Sequence, residues 1–234
     1  MHRSRLGLVM AVWLLPAGPV KNRLLRRLGH QIDPGARARS NFVWGVDSFV
    51  MEPGSRIGKW NLIKHMSTVS VGSGASIGRL NVISSHPVYV RLYPVGARLD
   101  LGSRAKITSR HQLDCSGGLR VGELSSIAGH DTRVLSHSVD LARDAQVAYP
   151  IVIGERSFVG ARCLLLGGAV LPARSVLAAG SVLPHLKGHP AAGLWAGVPA
   201  EYKRPVSGEW FDRETTSTSR VFIPDTDTTV ENAL

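Results

Sequence analysis

The chain has only two cysteines, Cys115 and Cys163, among 234 residues. Two thiols cannot build a disulfide framework, and no CxxC pair is present to hold zinc. A reducing compartment is the simpler expectation. Aromatic residues are also scarce, at 6%. With 25 glycines, the composition suits tight turns and thin packing layers better than a large helical core. The apolar run 7–20 is too short for a bilayer, which takes about 20 residues to span, and Pro16 and Pro19 interrupt it. Arg3 and Arg5 ahead of that run would suit a signal peptide, but a small-x-small cleavage site is missing.

Acidic residues are nearly absent from the N-terminal arm. There Arg3, Arg5, Lys21, Arg23, Arg26, Arg27, Arg37 and Arg39 stand against Asp33 alone, within a chain of formal charge +11. The tail after Gly208 reverses the sign. No nucleic-acid motif accompanies the basic cluster, and the apolar stretch from Leu6 to Leu15 lies beside it. That combination points to an anionic membrane surface rather than to nucleic acid. The expected location is cytoplasmic, peripheral on the inner face of the membrane. Asn22 to Leu28 reads as a short amphipathic helix, with Leu24, Leu25 and Leu28 on one face. It would serve as an interfacial anchor or as a cap over the open end of a solenoid.

The strongest signal is a six-residue repeat. Ile153, Val159, Leu165, Leu171, Leu177 and Leu183 are all aliphatic, and Ser157, Cys163, Ala169, Ser175 and Ser181 are all small. Upstream, hexads begin at Ile57, Val71, Ile77, Leu101, Ile107, Leu113, Val121 and Ile127, with frame slips between them. A short strand turns one aliphatic side chain inward, and the small residue lets the chain round a corner. Successive coils then stack at about 4.8 Å, making a continuous core that no single coil could bury. An antiparallel barrel would show period-two alternation instead.

The segment 136–140, Ser-His-Ser-Val-Asp, resembles the His-x-x-Asp segment that precedes the final repeat block in hexapeptide-repeat sugar O-acetyltransferases. The run from Ile151 to Pro172 and the ends 178–182 and 196–200 (Ala-Gly-Val-Pro-Ala) are similar to that family as well. The resemblance covers 121–204 well, the earlier hexads loosely and the two ends hardly at all. It implies an all-β left-handed parallel β-helix and a homotrimer. It also implies acetyl-CoA as acyl donor, no metal, and a saccharide or lipid-linked glycan as acceptor. The expected organisation is a helical arm over 1–40, the β-helix over 41–204 and an extended or partly disordered tail over 205–234 that could pack on a neighbouring subunit.

Thioester transfer needs a base for the acceptor hydroxyl, and imidazole suits that task. The resemblance assigns it to His137, with Asp140 as orienting carboxylate. It points to the backbone N–H of Ala161, after Gly160, as oxyanion donor. Ala179, Gly197 and Pro199 correspond to the coenzyme A-binding end, and Lys203 and Arg204 to its phosphate contacts. Trp195 reads as a packing residue. His111 occupies a slot that is normally small, so it should leave the core or face a cleft, where it would bind the acceptor sugar or serve beside His137. A further break at 84–89 carries His86 and Tyr89. His185 and His189 read as loop residues. Two other functions use the same scaffold. A γ-carbonic-anhydrase-like zinc enzyme could draw on His111, His130 and His137, although the His-x4-His spacing is missing. A non-catalytic, membrane-associated trimer would lack coenzyme A affinity.

Overall fold

The computed structural model describes residues 3–186, 188 and 190–233; His189 and the side chains of Arg3 and Arg5 lie outside them. From Gln31 to Gly197 the chain winds as a parallel β-helix of triangular section. Every aliphatic position of the repeat block from Ile153 to Leu183 is 0% exposed. The small positions lie inside as well. Their hydroxyls take backbone groups of the adjoining coils, as where Ser157 Oγ donates to Pro172 O at 2.7 Å and accepts from Ser175 N at 3.1 Å.

Three faces result. The first holds 42–44, 62–64, Val82–Ser84, Gln112–Asp114, Arg133–Leu135, Leu164–Leu166 and Val182–Leu183. The second runs from Gln31–Ile32 to Val170–Leu171, and the third from Arg37–Ala38 to Leu194–Gly197. The coils are not uniform. Val182 pairs with Leu164 after 18 residues, but Leu62 pairs with Phe42 after 20. Two extra residues let the ten-residue strands Phe42–Met51 and Leu62–Val71 bend around the first edge without breaking. Gly45 and His65 take the left-handed conformation at that bend, with φ of 61° and 55°.

The third edge carries a buried ladder that six-residue counting misses. Asn61 N–H donates to Asn41 Oδ1, Asn81 N–H to Asn61 Oδ1 and His111 N–H to Asn81 Oδ1, each at 2.9 Å. Thr132 N–H continues it to His111 Nδ1 at 3.2 Å, and Cys163 N–H to Thr132 Oγ1 at 3.3 Å. His111 is therefore a rung. It does not leave the core, and it faces no cleft: it is 1% exposed, and Nε2 lies 2.8 Å from Thr108 Oγ1. Burial is the main cause that pushes its imidazole down to about 4, so the ring is neutral.

Two helices cover the N-terminal end: α1 (Arg3–Leu14) and α2 (Pro19–Arg27). Trp13 is fully buried and packs on Phe49 with ring centroids 4.4 Å apart. Asn41 N–H, at the top of the ladder, donates to Trp13 O at 3.1 Å. Lys21 reaches underneath, where Nζ donates to Trp13 O, Arg39 O and Leu15 O at 2.7, 2.8 and 3.0 Å. Burial lowers its pKa to about 8. Leu25 of α2 is buried, and Leu24 and Leu28 pack against the core. The apolar face of α2 thus serves as a cap, and strands of the first coil already begin at Gln31. Among the described residues, no helix is long and apolar enough to cross a membrane.

The tail runs back along its own prism. Arg156 Nη1 donates to Phe211 O at 2.8 Å, Arg174 pairs with Asp212 at 2.9 Å and Arg104 with Glu214 at 3.2 Å. Thr216 Oγ1 then donates to Gly74 O at 3.2 Å. Arg104, Arg156 and Arg174 hold equivalent left-handed positions on the second edge. The tail is consequently a strap across several coils, with Phe211 buried beneath it.

Candidate active site

The first edge is where the chain leaves the coil. One excursion, 86–96, carries the short helix α3 (Pro87–Leu92), and the other is the antiparallel hairpin His137–Asp140/Ala145–Ala148. The two meet at His137. Its ring centroid lies 6.2 Å from His86 and 6.1 Å from Tyr89.

Asp114 ends the first-face strand one coil below and holds this junction together. Its Oδ2 accepts from Ser136 N and Oγ at 2.8 Å, from His137 N at 3.0 Å and from His137 Nδ1 at 2.8 Å. Oδ1 accepts from Ser116 Oγ at 2.6 Å. Burial alone would raise the Asp114 carboxyl. The hydrogen bonds from Ser116, His137 and Ser136 outweigh it and hold the pKa below the ordinary value. A carboxylate on Nδ1–H leaves Nε2 with its lone pair, the form a general base requires. Nε2 has no hydrogen-bond partner among the described residues, and the side chain is 34% exposed. An open cleft of about 400 Å³ lies beside it, lined by His137, Tyr149, Leu166, Gly167 and His185 among others. Only glycine fits at 117 beneath the hairpin, where a Cβ would lie 2.3 Å from Tyr149 O.

Asp140 does not orient His137. Its Oδ1 accepts from the N–H groups of Ala142 and Arg143 at 3.0 and 3.1 Å, and Oδ2 pairs with Arg143, so it closes the hairpin turn. The orienting carboxylate comes from 23 residues upstream. Counting from the ladder would have found it. Residues four beyond Asn81, His111 and Thr132 are Ser85, Cys115 and Ser136, which puts Asp114 one coil below Leu135 and against Ser136-His137.

The other expected residues lie elsewhere. Ala161 and Ala179 stand on the third edge, against Gly129 and Gly160 respectively. Their N–H groups make no hydrogen bond among the described residues. Gly160 is needed for close stacking, since a Cβ there would come 2.6 Å from Ala179 N. Gly197 and Pro199 form the turn between strands Leu194–Gly197 and Ala200–Arg204 at the C-terminal end. Lys203 and Arg204 are exposed on the second of these strands, and Lys203 pairs with Glu201 at 3.1 Å. Trp195 points into the core, 7% exposed. The prism thus separates His137 on its first edge from Ala161 and Ala179 on its third. His130 lies beside Asp131 on the third edge, 3.8 Å away, and both ring nitrogens of His111 are engaged in the ladder. Within one chain His137 is therefore not brought together with His111 and His130. Among the described residues, no group of three His, Cys, Asp or Glu side chains is placed to hold a metal.

No family model matches the chain, and no curated protein matches its sequence. Solved structures do. An N-acyltransferase from Bacillus cereus, AntD, in complex with dTDP-4-amino-4,6-dideoxyglucose and coenzyme A, aligns over 81% of this chain and 91% of its own, with a TM-score of 0.53 and 12% identity. A maltose O-acetyltransferase from Clostridium difficile aligns over 59% and 70%, with a TM-score of 0.48 and 14% identity. A hexapeptide-repeat acetyltransferase from Vibrio cholerae complexed with acetyl-CoA aligns over 88% and 87%, with a TM-score of 0.45 and 17% identity. The chain has a left-handed parallel β-helix fold, and its likeness to AntD is one of fold.

Proposed function

We propose that the protein is an acyltransferase that moves an acetyl or other short acyl group from coenzyme A to a hydroxyl of a saccharide. The observation that carries this reading is the Asp114–His137 pair, because a fold alone does not fix an activity. In the reaction, the acceptor oxygen attacks the thioester carbonyl while His137 Nε2 takes the hydroxyl proton. The tetrahedral intermediate collapses, the C–S bond breaks, and the leaving thiolate recovers the proton from the imidazolium. An ester and free coenzyme A result. No acyl-enzyme is required, since the thioester is already activated.

Ala161 N–H is our candidate for the oxyanion donor, and the small residue Ala179 leaves room for the pantetheine arm. Lys203 and Arg204 are candidates for the coenzyme A phosphates. A homotrimer would reconcile these assignments with their separation on one prism, because the third edge of one subunit can face the first edge of the next. The cap also exposes Leu8 and Val20, by 54% and 68%, and α2 carries Arg23, Arg26 and Arg27, which supports a peripheral contact with anionic lipid.

Calorimetric titration with acetyl-CoA, on protein whose mass in solution is measured by light scattering, tests the reading. Binding with one site per chain in a trimer is expected. A monomer without affinity for acetyl-CoA would overturn it.

A further inference from the structure

The first edge does not end its aromatic character at the catalytic pair. Towards the N-terminal cap, three of the next four coils place rings on it, the coil of Asp114 being the exception. Tyr89 and His86 of the excursion touch His137, with centroids 6.1 and 6.2 Å away. His65 lies at the bend of the preceding coil, in the strand Leu62–Val71 against which α3 packs. Trp44, one coil further, meets the edge of His65 at 6.3 Å and interplanar angle 89°. Lys64 Nζ lies 5.8 Å from the centre of the indole. These rings are not core residues: His86 is exposed, and Trp44, His65 and Tyr89 are half-buried.

A second observation bears on the same strip. The Tyr89 hydroxyl is shielded from solvent and has no hydrogen-bond partner among the described residues. Tyrosine hydroxyls in such positions ordinarily find one. The hydroxyl meets a bound molecule only when the ring turns outward, and beside the general base that molecule would supply the partner. The strip also has a direction and a length. From the coil of Trp44 to that of His137 are four steps, about 19 Å at the spacing of stacked strands. That exceeds any single sugar. The faces of aromatic rings attract the polarised C–H groups of a pyranose through their negative quadrupole, and the imidazoles and the lysine supply donors for its hydroxyls.

We infer that the edge from His137 to Trp44 is a track for an extended saccharide, so that the acceptor is an oligo- or polysaccharide chain rather than a free sugar or a small nucleotide sugar. The inference rests on the acyl-transfer reading for its identification of the bound molecule as acceptor. Tyr89 and His86 hold the sugar that receives the acyl group, and His65 and Trp44 hold sugars further along the chain.

The test uses the full-length protein and three ladders of defined oligosaccharides, from the malto-, chito- and hyaluronan series, each from one sugar to six. Binding is read by saturation-transfer NMR and calorimetry for wild type, Trp44→Ala and Trp44→Phe. Circular dichroism checks that both variants are folded. In at least one series, wild-type affinity is expected to rise tenfold or more from the monosaccharide to the pentasaccharide. Trp44→Ala should flatten that rise, and Trp44→Phe should keep most of it. Affinity independent of length, an undiminished rise in Trp44→Ala, or no binding of any ladder would overturn the track. Acetyl-CoA binding is measured on the same wild-type preparation. Acetyl-CoA bound without any glycan sinks the track alone. A length-dependent glycan without acetyl-CoA sinks the acyl-transfer reading instead.

Discussion

Asp114 Oδ2 lies 2.8 Å from His137 Nδ1, and the same oxygen holds the backbone N–H of His137 at 3.0 Å. One carboxylate oxygen therefore fixes both the tautomer of the imidazole and the point where its hairpin leaves the coil. Asp114→Asn keeps the shape but offers an amide in place of a charged acceptor. It is expected to lower acetyl-CoA turnover at least tenfold, within the range of about 10²–10⁴ that a positioned base contributes. Asp140→Asn should stay within twofold of wild type, because Asp140 serves only the hairpin turn. Steady-state thiol release by the two variants distinguishes them. Equal losses would return Asp140 to the site.

His111 provides a stability test rather than a catalytic one. The rungs before it are asparagines, so His111→Asn should fold and turn over acetyl-CoA normally. His111→Ala leaves the Thr132 N–H without its acceptor and should cost about 1–3 kcal/mol in urea unfolding. A selective loss of turnover in His111→Asn, with stability unchanged, would contradict the rung assignment.

The same residue predicts a pH dependence. Its folded pKa of about 4 lies below the ordinary imidazole value of 6.5, so the unfolded chain takes up the proton first. The contribution of the neutral ring is full above 6.5 and falls away as pH drops from 6.5 through 4. Melting temperature should decline over that window in wild type, and less steeply in His111→Asn. Parallel curves for the two proteins would count against a buried neutral imidazole.

The strap predicts that tail and prism are one folding unit. Deleting 207–234 exposes the site of Phe211, whose burial stabilises by about 1.5–3 kcal/mol. At about 2–4 °C per kcal/mol for a chain of this size, the melting temperature should fall by several degrees while the oligomeric state is unchanged. Dissociation on truncation would show instead that the tail bridges subunits.

How much of this could be read in the sequence depends on range. The block from Ile153 to Leu183 was fully legible, because each inward aliphatic residue and each small corner residue answers to its own coil. The first coils were less so. Their extra residues at Gly45 and His65 break the six-residue count, and the twenty-residue spacing of Asn41, Asn61 and Asn81 carries the register instead. His137 stood out through its flanking motif. Its partner did not, because Asp140 is close in sequence whereas Asp114 is close only once the coils stack. The basic tail contacts were hidden for a similar reason: the arginines of the second edge are spaced by coil length, and their acidic partners lie beyond the repeat.

The most direct measurement compares acetyl-CoA binding and turnover in wild type and His137→Ala. The account predicts that both proteins bind acetyl-CoA with similar affinity, and that turnover falls by about 10²–10⁴ in the variant. Undiminished turnover in His137→Ala, with binding intact, would contradict the assignment of His137 as the base.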